Sequence, residues 1–103
     1  MESSQSFSAP PHGISPAALA GVRVVEMGQL IAGPFCGKTL GEFGADVIKI
    51  EAPETGDPLR NWRLIKEGTS VWWQVQSRNK RSVALDLRQK EGQAIARQLI
   101  AEA

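Results

Sequence analysis

The sequence has 103 residues and a mass of 11.2 kDa, the size of one small domain. Hydrophobic residues make up 42% of the chain and charged residues 22%, which excludes a fibrous or wholly disordered protein. No apolar run reaches the roughly 18 residues of a membrane span, and residues 1–13 lack the pattern of a secretory signal. Because the only cysteine is Cys36, no internal disulfide can form, and we expect a cytoplasmic protein.

Charge is distributed unevenly along the chain. Residues 1–59 carry three basic and seven acidic side chains, whereas residues 60–103 carry nine basic and four acidic ones. The basic second half indicates either an anionic partner, such as a phosphate, or a solvated surface that is basic by composition.

The first elements follow from short patterns in chain order. Residues 1–18 are rich in Ser, Pro and Ala, which predicts a flexible leader. The β-branched run Val22–Met27 predicts a strand, and Pro34–Phe43 predicts a helix with Pro34 at its first position. Gly44 suits the position after that helix, and Ala45–Ile50 predicts a second strand.

The second half gives a third strand and a last helix. Leu59–Gln76 contains three tryptophans among polar residues and fits no single element. Val83–Leu87 predicts a strand and Gln89–Ala103 a helix. In that helix Ile95 and Leu99 are four residues apart, as are Ala96 and Ile100, so we expect all four to share a buried face.

The alternation of strands and helices predicts an α/β fold, with an open, mostly parallel sheet and crossover helices. Three strands are too few for a complete sheet of this class, and the last helix has no stop signal before Ala103. We therefore expect the N-terminal part of a larger α/β protein. The alternative is a complete domain with a modest core.

Two glycine-containing patterns suggest a ligand. Ala32–Thr39 (AGPFCGKT) matches a relaxed phosphate-loop motif, for which Asp86 would supply the metal-binding acid. The alternative is that Lys38 and Thr39 lie on a helix surface. Gly33, Gly37 and Gly41 form a bare stripe on the predicted helix, which indicates the close approach of a ligand, of another chain or of a packed element.

Three further features allow more than one interpretation. Arg78, Lys80 and Arg81, with Trp72 and Trp73 nearby, suit a nucleotide or single-stranded nucleic acid, although a pI near 7.9 disfavours nucleic acid. Cys36 fits a buried structural cysteine better than a nucleophile, because no structured histidine accompanies it. His12 lies in the predicted leader and carries no role, and no metal-ligand spacing occurs in the sequence.

Four segments in order then resemble the N-terminus of the family III CoA-transferases. They are AGP (32–34), GADVIKIE (44–51), GDPLR (56–60) and NKRSVALDL (79–87). This family includes formyl-CoA transferase, the carnitine CoA-transferases and the α-methylacyl-CoA racemases. The resemblance covers residues 19–103 and implies the N-terminal part of a Rossmann-like domain that binds coenzyme A (CoA).

The resemblance also implies a reaction and its partners. CoA would pass from an acyl-CoA to a free carboxylic acid through an aspartyl thioester, without metal and within an intertwined homodimer. The attacking aspartate would lie beyond Ala103, so residues 1–103 alone should be inactive. Neither nucleic acid nor a membrane is implied.

Some of the family's CoA contacts map onto this sequence. The segment before and within AGP implies contacts from Leu30, Ile31 and Ala32, and the NKRSVALDL region implies contacts from Leu85 and Arg88. Formyl-CoA transferase has a Gln at the position of Ile31 and an Arg at that of Ala52, which disfavours formyl and oxalyl substrates here. A racemase of the same family is the main alternative, but the long segment between the second strand and NKRS favours a transferase.

Overall fold

A parallel three-stranded sheet forms the centre of the computed structural model, which describes residues 17–103. Its strands lie in the order β1–β2–β5, with β1 at Arg23–Glu26, β2 at Asp46–Glu51 and β5 at Lys80–Ala84. The connections between these parallel strands contain helices, so the predicted α/β class is confirmed. His12 and nearly all of the predicted leader lie outside the described residues.

Helices and a small hairpin surround this sheet. The helices are α1 (Ala32–Glu42), α2 (Val71–Gln76) and α3 (Lys90–Ala101). Strands β3 (Ile65–Lys66) and β4 (Thr69–Ser70) pair in antiparallel register. A 3₁₀ turn at Pro58–Asn61 precedes the hairpin. The segment that fitted no single element in the sequence is therefore a turn, a hairpin and a short helix in succession.

Helix α1 begins two residues earlier than predicted. Ile31 is its N-cap, so Pro34 occupies the third helical position rather than the first. This position still lies in the first turn, where backbone N–H groups have no partner within the helix. The predicted end is confirmed, because Gly44 follows the C-cap Phe43 with a φ of 104°.

The third predicted strand is displaced in the structure. Strand β5 starts at Lys80, three residues before the predicted start. Its first three residues, Lys80, Arg81 and Ser82, are polar. In α3 the predicted apolar face is only half right. Ala96 is buried and Leu99 packs on the core, but Ile95 is 44% exposed and Ile100 is 49% exposed.

The two faces of the sheet differ in chemistry. Ile50, Leu85 and Ala96 form an apolar core between the sheet and α3. The opposite face lies under α1, and paired residues of parallel strands point to the same side of a sheet. The register aligns Glu26 with Lys49 and Val47 with Lys80, so charged side chains from all three strands lie on the face under α1.

Candidate functional site

A cleft of about 600 Å³ opens at the carboxyl ends of the parallel strands. Residues that follow β1, β2 and β5 line it, among them Met27, Gln29, Thr55, Leu85 and Arg88. Ligands of open α/β sheets bind at this edge, because loops from several strands converge there. The cleft is therefore the candidate binding site of the fold.

Four charged side chains form a buried layer between the sheet and α1, which we call the ion layer: Glu26, Lys49, Asp57 and Lys80. The Nζ atom of Lys49 lies 2.6 Å from Glu26 Oε2 and 2.8 Å from Asp57 Oδ2. The Nζ atom of Lys80 lies 2.7 Å from Glu26 Oε1. All four side chains are at most 3% exposed, and their two positive and two negative charges balance.

Burial and pairing act against each other on the pKa values of this layer. Burial raises the pKa of Asp57, but hydrogen bonds from Lys49 and from the backbone N–H groups of Leu59 and Leu30 outweigh it, so the pKa lies below its ordinary value. Burial lowers the pKa of Lys80, and the hydrogen bond with Glu26 compensates for this only in part. The layer is stable only as a set, since removing one member leaves a buried charge unpaired.

Glu51 lies next to the cleft, where its buried carboxylate pairs with the half-exposed Arg60. Its carboxylate accepts two hydrogen bonds from Arg60, with N–O distances of 2.8 Å, and one each from Ser82 Oγ and the Asp57 N–H group. The Arg60 side chain is the largest cause that lowers the pKa of Glu51 from 4.5 to about 2. Glu51 is therefore a charged anchor for the loop that follows β2 and not a proton donor near neutral pH.

The segment after β1 lies beside the cleft and is held by the ion layer. Asp57 Oδ1 accepts a hydrogen bond from the Leu30 N–H group at 3.1 Å. Lys49 Nζ donates to the Gly28 carbonyl oxygen at 3.2 Å. Ile31 is 47% exposed, and the next residue, Ala32, is also exposed.

The structure divides the five predicted CoA contacts into two groups. Leu85 and Arg88 line the cleft, although Leu85 is 9% exposed and belongs to the core. Leu30, Ile31 and Ala32 follow the cleft residue Gln29 in the chain but do not themselves line the cleft. Arg88 is highly exposed and donates to the neighbouring Asp86 carboxylate at 3.0 and 3.3 Å.

The charge difference between the two halves of the chain is largely neutralised within the molecule. Basic residues of the second half pair with acidic residues of the first half at Lys80–Glu26, Arg81–Asp46, Arg60–Glu51 and Arg78–Glu42. The skew therefore requires no anionic partner, and Arg88 is the basic residue that the cleft offers to a phosphate.

The glycine stripe and the phosphate-loop motif are both parts of α1. A side chain at Gly37 would collide with the Glu26 carboxylate, and one at Gly41 would touch Asn79 and Val47. Gly37 and Gly41 thus allow α1 to pack on the sheet, and a Cβ atom at Gly33 would meet the backbone of Gly28, so the packing interpretation accounts for the stripe. Residues 32–39 are helical throughout, so they do not form a phosphate loop, and Lys38 pairs with Glu42 on the helix surface.

The tryptophans lie in the hairpin region and not in the cleft. Trp72 packs edge-on against Trp62 with ring centroids 5.4 Å apart, and the Arg60 guanidinium lies 4.1 Å from the Trp73 ring centroid. The Arg60 guanidinium therefore covers one face of the Trp73 ring, whereas Trp72 remains 39% exposed. Cys36 is exposed, which contradicts the expectation of a buried cysteine.

Two kinds of feature are absent from residues 17–103. No group of three or more His, Cys, Asp or Glu side chains there is arranged to hold a metal ion. No helix in this part of the chain has the length and apolar character needed to cross a membrane.

The amino-acid sequence is similar to those of known CoA-transferases. The sequence model described as CoA-transferase family III matches residues 19–103. The chain is 51% identical over 86 residues to succinyl-CoA–D-citramalate CoA-transferase of Chloroflexus aurantiacus, a match that covers 82% of this chain and 21% of that protein. It is 38% identical over 84 residues to human succinyl-CoA:glutarate CoA-transferase, covering 81% and 19% of the two chains.

Solved structures agree with the fold. The crystal structure of a CAIB/BAIF family protein from Brucella suis superposes with a TM-score of 0.77 at 41% identity, covering 86% of this chain and 25% of that one. A hypothetical protein from Mycobacterium tuberculosis gives a TM-score of 0.75 at 33% identity, covering 84% and 24%. The chain thus spans about a fifth to a quarter of the length of the proteins that it matches.

Proposed function

The chain belongs to CoA-transferase family III, and we propose that it supplies part of the CoA-binding domain of an acyl-CoA:carboxylate CoA-transferase. The family match over residues 19–103 is the observation that carries this proposal. The position of the cleft supports it, since ligands of parallel α/β sheets bind at the carboxyl ends of the strands.

The names of the relatives suggest the substrates. The proteins from Chloroflexus aurantiacus are named for transfer between succinyl-CoA and D-citramalate or L-malate, and the human one for transfer between succinyl-CoA and glutarate. We therefore propose succinyl-CoA as the donor and a second dicarboxylic acid as the acceptor. The cytoplasm is the proposed location, because a sequence with one cysteine cannot form an internal disulfide and needs no oxidising compartment.

Within this chain the proposed contacts have separate tasks. The Arg88 guanidinium would pair with a phosphate of CoA, and Leu85 would offer apolar surface at the base of the cleft. The segment Leu30–Ala32 would contact the ligand through its backbone at the start of α1. Because Arg88 already pairs with Asp86, the phosphate competes with that carboxylate.

The proposed covalent steps use an aspartate outside residues 1–103. All three aspartates of the chain, Asp46, Asp57 and Asp86, lie in the described region and are paired with basic side chains. In the proposed reaction an aspartate outside residues 1–103 attacks the acyl-CoA carbonyl carbon and releases the CoA thiolate, which leaves a mixed anhydride. The thiolate then attacks the aspartyl carbonyl, frees the first acid and forms an aspartyl thioester. The acceptor carboxylate attacks this thioester and expels the CoA thiolate, which leaves a second mixed anhydride. The thiolate then attacks the acceptor carbonyl of that anhydride, forms the new acyl-CoA and releases the aspartate carboxylate. An intertwined homodimer is the proposed assembly.

Calorimetric titration of the whole enzyme that contains this chain with CoA, without magnesium, tests the binding role. We expect saturable binding that Arg88→Ala weakens by about tenfold, since a charge-assisted contact with a phosphate is lost. Arg97→Ala on the exposed side of α3 is the matched control and should leave the affinity unchanged. Binding of ATP with magnesium but not of CoA would refute the proposal.

Assays of the whole enzyme separate the two chemistries of the family. Transfer of CoA between succinate and a second dicarboxylate supports the transferase. Exchange of the α-proton of a 2-methylacyl-CoA with solvent deuterium, without transfer, would support the racemase instead. Transfer catalysed by residues 1–103 alone would contradict the proposed location of the nucleophile.

A further inference from the structure

The turn between β1 and α1 is clamped at two backbone atoms by a buried ion pair. Lys49 Nζ donates to the Gly28 carbonyl oxygen at 3.2 Å, and Asp57 Oδ1 accepts from the Leu30 N–H group at 3.1 Å. Lys49 and Asp57 are themselves joined at 2.8 Å, and both side chains are 1% exposed. The pair thus holds both ends of a three-residue segment.

The clamped segment adopts a conformation that it does not prefer. Leu30 has a φ of 65°, in the left-handed region that residues with a Cβ atom seldom occupy. Such a conformation persists only where the surroundings determine it. Gly28 and Leu30 lie in an otherwise exposed stretch, so Lys49 and Asp57 supply the buried contacts that fix it.

Asp57 is itself held in one place. Its Oδ1 atom also accepts from the Leu59 N–H group at 2.9 Å and so caps the 3₁₀ turn, and its own N–H group donates to Glu51 Oε1 at 2.8 Å. The carboxylate therefore links the loop after β2, which lines the cleft, to the turn after β1.

We propose that Asp57, buttressed by Lys49, is a positioning residue that shapes the Gly28–Leu30 turn so that the start of α1 presents its backbone to CoA. This proposal rests on the proposed function, because it assigns the CoA contact to the segment that begins at Leu30. Asp57 does not touch the ligand and acts only through the Leu30 amide.

Two measurements on the whole enzyme that contains this chain test the proposal. The first is hydrogen–deuterium exchange of the Leu30 amide without ligand, and the second is titration with CoA. In Asp57→Ala we expect Leu30 exchange to accelerate at least about tenfold and CoA affinity to fall by about tenfold, as expected for loss of a buried hydrogen bond to a charged acceptor. Asp46→Ala removes a partly exposed carboxylate that pairs with Arg23 and Arg81, and it should change neither quantity.

A pair of charge-balanced variants covers the case in which Asp57→Ala does not fold. Lys49→Met with Asp57→Asn keeps an acceptor for Leu30, whereas Lys49→Met with Asp57→Leu has a similar volume and cannot accept. Both leave the Glu26–Lys80 pair intact. We expect Leu30 protection and CoA affinity to be higher in the first double variant than in the second, because both lack the Lys49 contact with Gly28 and only the first keeps an acceptor for Leu30.

The outcomes distinguish this proposal from the proposed function. If the unmodified whole enzyme does not bind CoA, the proposed function fails, and with it the ligand part of this proposal. If the unmodified enzyme binds CoA and the Asp57→Leu double variant binds it equally well, the positioning role is overturned while the proposed function stands. Unchanged Leu30 exchange in that double variant would also overturn the positioning role.

Discussion

Replacing Gly37 by alanine tests how α1 lies on the ion layer. A Cβ atom at this position would overlap Glu26 Oε1 and lie 3.0 Å from Glu26 Cδ. The carboxylate cannot turn away, because Lys49 at 2.6 Å and Lys80 at 2.7 Å hold its two oxygens in a buried site. Either α1 rises from the sheet or the ion pairs lengthen, and both changes destabilise the fold.

The expected magnitude follows from opposing contributions. Overpacking of a well-packed interior costs about 1–3 kcal/mol. Because Gly37→Ala also strains a buried ion pair, we expect its cost to lie at or above the upper end of that range. Alanine recovers about 1 kcal/mol through its higher helix propensity. We therefore expect the free energy of unfolding to fall by about 2 kcal/mol.

Gly41→Ala is the matched control in the same helix. Its Cβ atom would lie 3.4 Å from Asn79 Cβ and 3.5 Å from Val47 Cγ2, which are ordinary contacts. Helix propensity should then prevail, and the variant should gain up to about 1 kcal/mol. The two variants differ only in what lies below the glycine.

Thermal unfolding followed by circular dichroism measures both variants. For a domain of this size, 2 kcal/mol corresponds to a decrease in Tm of about 8–16 °C. A Gly37→Ala variant as stable as Gly41→Ala would refute the packing of α1 on the Glu26 carboxylate, and with it the structural explanation of the glycine stripe.

Two further predictions concern carboxylates beside the cleft. The pKa of Glu51 is lowered to about 2 by Arg60, so its ion pair contributes stability above the unfolded value of 4.5 that is lost as the pH falls toward 2. Urea unfolding between pH 6 and pH 2.5 should show that the free energy of unfolding falls by up to about 3 kcal/mol. The Glu51→Gln variant should be less stable at pH 6, and its stability should depend less on pH. An unchanged pH dependence in that variant would contradict the prediction. Asp86→Asn removes the carboxylate that pairs with Arg88, so the Arg88 guanidinium becomes free for a CoA phosphate. We expect CoA binding to tighten by about two- to fivefold in calorimetry. Weaker binding would contradict the competition between Asp86 and the phosphate for Arg88.

Apolar periodicity in the sequence predicted the elements whose cores are apolar. The runs that contain Val24 and Val25, or Ile48 and Ile50, gave β1 and β2 to within one residue at each end. Strand β5 was displaced because Lys80 and Ser82 occupy its inward positions, and polar residues at those positions do not indicate burial in an isolated sequence. Lys80 is buried by its pairing with Glu26, whereas Ser82 stays exposed and donates to Glu51; both acids are distant in the chain.

The candidate site was predictable only in part. The resemblance to a known family predicted Leu85 and Arg88 as binding residues, and both line the cleft. The ion layer was missed, although a signal exists: Lys49 stands in the middle of the apolar run Val47–Ile50, where a lysine requires a buried partner. Which acid serves as that partner is a tertiary property that the sequence alone does not specify.

The chemistry of the ion layer explains why the sheet carries charges where other α/β proteins carry valine and isoleucine. Buried ion pairs add little net stability compared with apolar side chains of equal volume. Charged groups can, however, bind backbone atoms, and apolar side chains cannot. The layer and its neighbour Glu51 hold five such atoms: the carbonyl oxygens of Gly28 and Pro34 and the N–H groups of Leu30, Asp57 and Leu59. All five lie in the turns after β1 and β2 or in the first turn of α1. The layer therefore fixes the loops at the carboxyl ends of the strands, which is the edge where a ligand of this fold binds.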